Sequence, residues 1–168
     1  MKVLILAAGS GTRIRPISYF LPKILLPVKG MPVLDYILQN VKDLNPDKVY
    51  IVASENLEII ERFLEKTGKE NVKVVRGLGW ETGGDLSLAL EQISDDDDYV
   101  VMNGDIVTDI NMKDTYDFHK SVNAFVTASV FNMEDEEARR FGRIKMDDKG
   151  QISKFLEKYL KVPPPLFC

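Results

Sequence analysis

The sequence predicts an α/β domain built on a mostly parallel sheet covered on both faces, and three observations carry that expectation. Short apolar runs rich in Val, Ile and Leu alternate along the chain with amphipathic segments of helical period. The first run, Val3-Leu4-Ile5-Leu6, is apolar at every position, as a strand buried between two helix layers requires. At 168 residues, 45% hydrophobic and 29% charged, the chain fits one globular domain, residues 1–168, able to bury roughly 70% of its unfolded surface.

Taken in order, Lys2 to Ala7 reads as the first strand, and the stretch from Ala8 to Lys29 holds too many Pro, Gly and polar residues for one regular element. A loop of that length in a compact domain is usually functional. Pro32 opens a helix whose Val33, Leu34, Ile37, Leu38, Val41 and Leu44 recur at helical spacing until Asn45-Pro46 stops it. Lys48 to Ala53 is a short buried strand. A helix follows over Leu57 to Lys66, with Gly68 marking its end.

Val72 to Val75 is the third strand, Gly77 to Gly84 a turn-rich segment, and Leu86 to Ile93 a further helix. Tyr99 to Met102 is the fourth strand. Asn111, with Asp114 three residues on, resembles an N-cap for a helix through His119. Ala124 to Phe131 is β-branched and aromatic enough to predict a fifth strand, and Arg143 to Met146 with Gln151 to Leu156 a hairpin. The Pro163-Pro164-Pro165 tail should be extended.

The organising stretch is Leu6-Ala7-Ala8-Gly9-Ser10-Gly11-Thr12-Arg13. A buried strand entering a glycine turn that ends in a cation presents backbone N–H groups to a phosphate. A dinucleotide fingerprint would need a third glycine where Ile14 stands, and a Walker loop would need a Gly-Lys-Ser/Thr ending that is absent. The formal charge of -4 provides no basic field for nucleic acid. Free nucleotide is the expected ligand.

Cys168 is the one cysteine, so no internal disulfide can form, and a reducing compartment is expected. No secretory pattern and no membrane-spanning run is present. The reading is therefore cytoplasmic, without a membrane or nucleic-acid partner. The Asp95 to Asp98 run reads as a solvated turn and His119 as a structural residue.

Leu6 to Pro16, Pro22-Lys23, Leu25-Leu26-Pro27-Val28 and Gly30-Met31-Pro32 together resemble the signature of the sugar-1-phosphate nucleotidyltransferases, which make NDP-sugars from an NTP and a sugar 1-phosphate. The resemblance implies a Rossmann-like three-layer α/β/α sandwich, the nucleotide-diphospho-sugar transferase fold, with a mostly parallel, mixed central sheet. Leu6, Ala7, Ala8, Gly9, Ser10, Gly11 and Thr12 would then contact base, ribose and phosphates. Arg13 would hold the β- and γ-phosphates, and Lys23 would neutralise charge around the α-phosphate.

Met102-Asn103-Gly104-Asp105 places a carboxylate just past a strand end, where open α/β sheets bind ligands. It resembles the family's Gly-Asp element, whose aspartate binds Mg²⁺. Asp109 is a weaker second candidate. Thr82 and Gly83, in Trp80-Glu81-Thr82-Gly83-Gly84, resemble the element that abuts the nucleobase, although Trp80 and Glu81 depart from the commoner residues there. Gly142, after Phe141, and Glu157-Lys158, after Phe155-Leu156, resemble the elements lining the sugar and its phosphate; Tyr159 replaces the usual proline.

The resemblance runs from Met1 to about Lys158, and the family's catalytic domain continues beyond it. It therefore implies a C-terminally truncated chain holding the nucleotide half and part of the sugar half. Two other readings share the first loop: a non-catalytic nucleotide- or NDP-sugar-binding regulatory module, and a transferase for choline phosphate or another alcohol phosphate. An unfinished sheet edge also makes a homo-oligomer an expected partner arrangement.

Overall fold

A computed structural model describes residues 1–132, 134 and 141–156, which form two compact units, Met1–Thr127 and a second one from Ala128 onward. In the first unit four strands make one parallel sheet. They are β1 (Lys2–Leu6), β4 (Lys48–Ala53), β5 (Val72–Arg76) and β6 (Tyr99–Asn103), in the spatial order β5-β4-β1-β6. A two-residue ribbon, β2 (Pro27–Val28) and β3 (Met31–Pro32), pairs antiparallel within the long first loop. Lys29 and Gly30 turn it, both at positive φ.

Side chains on a strand alternate between the two faces, and this sheet uses both. Val3, Ile5, Val49 and Ile51 pack with Leu34 and Ile37 of α1 (Val33–Asn40) and its C-cap Val41, with Ile60 and Leu64 of α2 (Leu57–Lys66), and with Met112 of α4 (Met112–Val122). Leu4 and Val52 face the other way, onto Ala89 of α3 (Glu81–Ile93), flanked by Leu86 and Ile93. The result is three layers. Each fully buried Leu or Ile contributes about 1.5–3 kcal/mol relative to exposure.

β1 lies between two parallel partners, and Leu6 is in register with both Val52 and Asn103. Three chain segments therefore leave the sheet side by side at its carboxyl edge. That edge is where α/β sheets bind ligands.

Several elements depart from expectation for local reasons. The α1 helix covers Val33–Asn40 and tightens into a 3₁₀ turn over Lys42–Leu44, closed by Asn45 in the left-handed region. α3 starts at Glu81 rather than near Leu86, because Gly83 and Gly84 are tolerated in a first turn; a Cβ at Gly84 would stand 2.8 Å from that of Trp80. Residues 124–131 are not a strand. No ladder pairs them among the described residues, and β-branched composition becomes strand only against a partner. Asn111 caps α4 as expected, its Oδ1 accepting from the Lys113 and Asp114 amides. The second unit contains the hairpin of β7 (Arg143–Met146) and β8 (Ile152–Leu156), with Asp147 Oδ1 accepting from two amides of its turn. The Pro-rich tail lies outside the described residues.

At the amino edge of the sheet the acidic run is an irregular, largely exposed segment as expected, and three of its carboxylates, those of Asp95, Asp97 and Asp98, also form ion pairs. Asp97 meets the Met1 ammonium at 3.3 Å and Lys2 Nζ at 2.9 Å; Asp98 accepts from Tyr116 and Lys120, each at 2.8 Å. The hydrogen bond from Lys2 is the largest reason the Asp97 carboxyl is held down to about 2, while Lys2 is raised first by its bond to Asp95 and then by the one to Asp97. A depressed carboxyl stabilises the fold above its unfolded pKa, and that contribution is lost as pH falls through the folded value. Thermal scans of Asp97→Asn should therefore show a lower melting temperature at pH 7 and a shallower fall between about pH 4 and pH 2 than the parent. Parallel curves would remove these ion pairs as a source of acid sensitivity.

Candidate functional site

The first loop is tied to the sheet at both strand neighbours before it turns. The Ala7 amide donates to the Val52 carbonyl at 2.8 Å, and the Gly104 amide donates to the Leu6 carbonyl at 2.8 Å. Gly11 then takes φ 62, and a Cβ there would stand 2.9 Å from Ser18 Cβ and 3.2 Å from Lys23 Cε. Glycine is demanded twice at this position, by conformation and by space. Three 3₁₀ turns follow, Thr12–Ile14, Ile17–Tyr19 and Lys23–Leu25. Ile24 and Leu25 sink into the core, so the neighbouring Lys23 is displayed from a fixed point.

Two serines that no motif singled out hold this loop. Ser18, buried, donates its hydroxyl to the Gly11 carbonyl at 3.0 Å. Ser54, just after β4, donates to the Ala8 carbonyl at 2.7 Å. The Gly11 carbonyl also accepts from the Ile14 amide, and the Thr12 carbonyl from the Arg15 amide. Among the described residues, no amide from Ala8 to Arg13 donates to a protein acceptor. The segment thus offers a run of N–H donors with several of its carbonyls already engaged, which is the polarity an anion requires.

An open cleft of about 300 Å³, solvent mouth included, lies over this loop. Ala7 to Gly11, Ser18, Pro22 and Lys23 form one part of its wall, and Ser54, Glu55 and Asn56 another. Lys23 Nζ stands 3.3 Å from Asp105 Oδ2. The structure thus brings together the cation from the first loop and the carboxylate from the β6 exit, 82 residues apart in sequence. Asp105 follows Gly104, where a Cβ would stand 2.9 Å from Ala7 Cβ and 3.0 Å from the Leu6 carbonyl oxygen. The segment beyond Asp105 is held by Asn40, whose amide donates to the Thr108 and Ile110 carbonyls.

The remaining candidates are placed less closely. Arg13 is exposed on the first 3₁₀ turn. Thr82 and Gly83 are exposed in the first turn of α3 and do not line the cleft. Their approach is shaped by Asp85, a buried residue that sequence reasoning passed over; its Oδ1 accepts from the Leu78 and Gly79 amides at 2.7 and 3.0 Å. Gly142 belongs to the second unit, where a Cβ would stand 2.9 Å from the Phe155 ring. Glu157 and Lys158 lie outside the described residues. Among the described residues no three His, Cys, Asp or Glu side chains converge to hold a metal, so Asp105 is a single carboxylate beside the N–H loop. No described helix is long and apolar enough to cross a membrane.

A family model described as nucleotidyl transferase matches residues 2–163. A UTP--glucose-1-phosphate uridylyltransferase of Synechocystis sp. is 29% identical, the match covering 94% of this chain and 44% of that protein. A UTP--glucose-1-phosphate uridylyltransferase, AglF, of Haloferax volcanii is 30% identical over 99% of this chain and 68% of its own length. The bifunctional protein GlmU of Methanococcus maripaludis is 32% identical, but the chain spans only 36% of it. Two solved structures share the fold. A UDP-glucose pyrophosphorylase complexed with UDP-glucose has TM-score 0.78 at 23% identity, and HddC from Yersinia pseudotuberculosis complexed with GMP-PN has TM-score 0.71 at 24% identity. Each match covers 94% of this chain and 69% of the solved one.

Proposed function

Since the chain belongs to the nucleotidyl transferase family, we propose that it carries the nucleotide site of a sugar-1-phosphate nucleotidyltransferase, transferring a nucleotidyl group from an NTP to a sugar 1-phosphate. The observation that carries this reading is the convergence of Lys23 and Asp105, 3.3 Å apart, beside the run of N–H donors from Ala8 to Arg13. In the reaction a phosphate oxygen of the sugar 1-phosphate attacks the α-phosphorus. A new P–O bond forms as the bond to the bridging oxygen breaks and pyrophosphate departs.

The protein's work in that step is placement and charge neutralisation. The amides of the first loop bind phosphate oxygens, Arg13 takes the β- and γ-phosphates, and Lys23 faces the charge at the α-phosphate. Thr82 and Gly83 abut the base; Gly142, Glu157 and Lys158 serve the sugar phosphate. The donor set suits Mg²⁺, which accepts one or two carboxylates together with substrate phosphates, and Asp105 would be its protein ligand. When bound, that ion would neutralise phosphate charge.

The test is pyrophosphate release with Mg²⁺, the common NTPs being crossed with glucose, mannose and N-acetylglucosamine 1-phosphates. Release with one pair is the expected result and names both substrates. Silence with every pair, combined with an NTP-induced rise in melting temperature, would replace catalysis by nucleotide binding alone. Silence with no rise would overturn the nucleotide reading.

A further inference from the structure

We propose that Ser18 and Ser54 are positioning residues forming a paired hydroxyl clasp that keeps the first loop in its anion-receptive conformation. The proposal rests on the reading of the cleft as a triphosphate site. An anion is attracted by N–H groups and repelled by carbonyl oxygens, so a phosphate loop aims its carbonyls elsewhere. The Gly9-Ser10 turn is bracketed by two carbonyls, those of Ala8 and Gly11. A serine hydroxyl captures each of them, Ser18 from seven residues downstream of Gly11 and Ser54 from 46 residues downstream of Ala8.

The two serines are fixed before they act. Ser18 is 7% exposed, and its Cβ lies so close to the Gly11 position that only a glycine fits there. Ser54 leaves β4 immediately after Ala53, which is fully buried in the sheet core. It also lies against the segment that leaves β5, since a Cβ at Gly79 would stand 3.6 Å from its hydroxyl oxygen. The clasp therefore draws on groups outside the turn itself. Without the hydroxyls, the Ala8 carbonyl would lose its donor and the Gly11 carbonyl would keep only the Ile14 amide. The loop could then rotate those peptide planes towards the cleft, against the charge of the ligand.

The experiment compares Ser18→Ala, Ser54→Ala, the double variant and Ser54→Thr with the parent and with Lys23→Ala. Calorimetric affinities for inorganic tripolyphosphate, UTP, GTP and the matching nucleoside monophosphates are measured beside melting temperatures. Each alanine variant is expected to weaken triphosphate binding by about 3–10-fold, the scale of one hydrogen bond. Monophosphate affinity should fall less, and Ser54→Thr, which keeps the hydroxyl, should stay within about twofold of the parent. A merely structural role would lower the melting temperature without changing the ratio of triphosphate to monophosphate affinity, and that result would overturn the clasp. Parent-like triphosphate binding in the double variant would also overturn it, leaving the cleft reading intact. If the parent binds no triphosphate, or Lys23→Ala binds it equally well, the cleft reading itself falls and the clasp with it.

Discussion

Lys23→Ala is expected to lower pyrophosphate-releasing turnover by about 10²–10³-fold, the range seen when one fixed charge-stabilising donor is removed from a transition state. The same substitution should barely touch stability. The Lys23 side chain is 25% exposed and Asp105 51%, so their pair is wet and contributes at most about 1 kcal/mol. For a chain of this length that corresponds to a shift of no more than about 4 °C in melting temperature. The neighbours Ile24 and Leu25 stay buried whatever occupies position 23, so the loop keeps its anchor. Turnover within tenfold of the parent would remove Lys23 from the reaction, and a collapse of stability in parallel with activity would show that it serves the fold and not the phosphate.

Gly104→Ala should do the reverse and damage fold and function together. The added methyl would stand 2.9 Å from Ala7 Cβ and 3.0 Å from the Leu6 carbonyl oxygen, and backbone cannot swing aside as a flexible side chain can. Relief requires β6 to part from β1 at the step where the Gly104 amide donates to Leu6. Overpacking of this kind costs about 1–3 kcal/mol, and the lost backbone bond adds about 1 kcal/mol. Asp105, the next residue, would move with it and leave Lys23. Urea unfolding with NTP affinity measured on the same samples checks both parts. A variant as stable as the parent would show that the two strand exits have slack the geometry denies them.

The residues that were legible in the sequence are those whose meaning is local. The run Val3-Leu4-Ile5-Leu6 reads as a buried strand because it is apolar at consecutive positions, and Asn111 as a cap because the amides it accepts from lie two and three residues on. Lys23 and Asp105 were found through motif resemblance and then met across 82 residues. Ser18, Ser54, Asn40 and Asp85 were missed for one reason. Each is a single polar residue whose significance lies in a carbonyl or amide of another segment, from six residues away for Asp85 to 70 for Asn40, and nothing in its flanking sequence announces that partner. The strand expected over 124–131 fails conversely, since Phe125 and Val126 have the composition of a strand but no ladder to join among the described residues. Pairing is a property of two segments.

The central place of β1 also governs how the protein can be made. Its inner partner β4 follows within about fifty residues, but its other partner, β6, aligns Lys2 with Tyr99, nearly a hundred residues downstream. At about 5–20 residues per second of synthesis, β1 waits roughly 5–20 s for that neighbour. Throughout this interval the Leu6 carbonyl has no Gly104 amide, and Lys23 has no Asp105. β1 is thus completed only when β6 is made, and the nascent chain acquires its paired site only after β6 has cleared the ribosome.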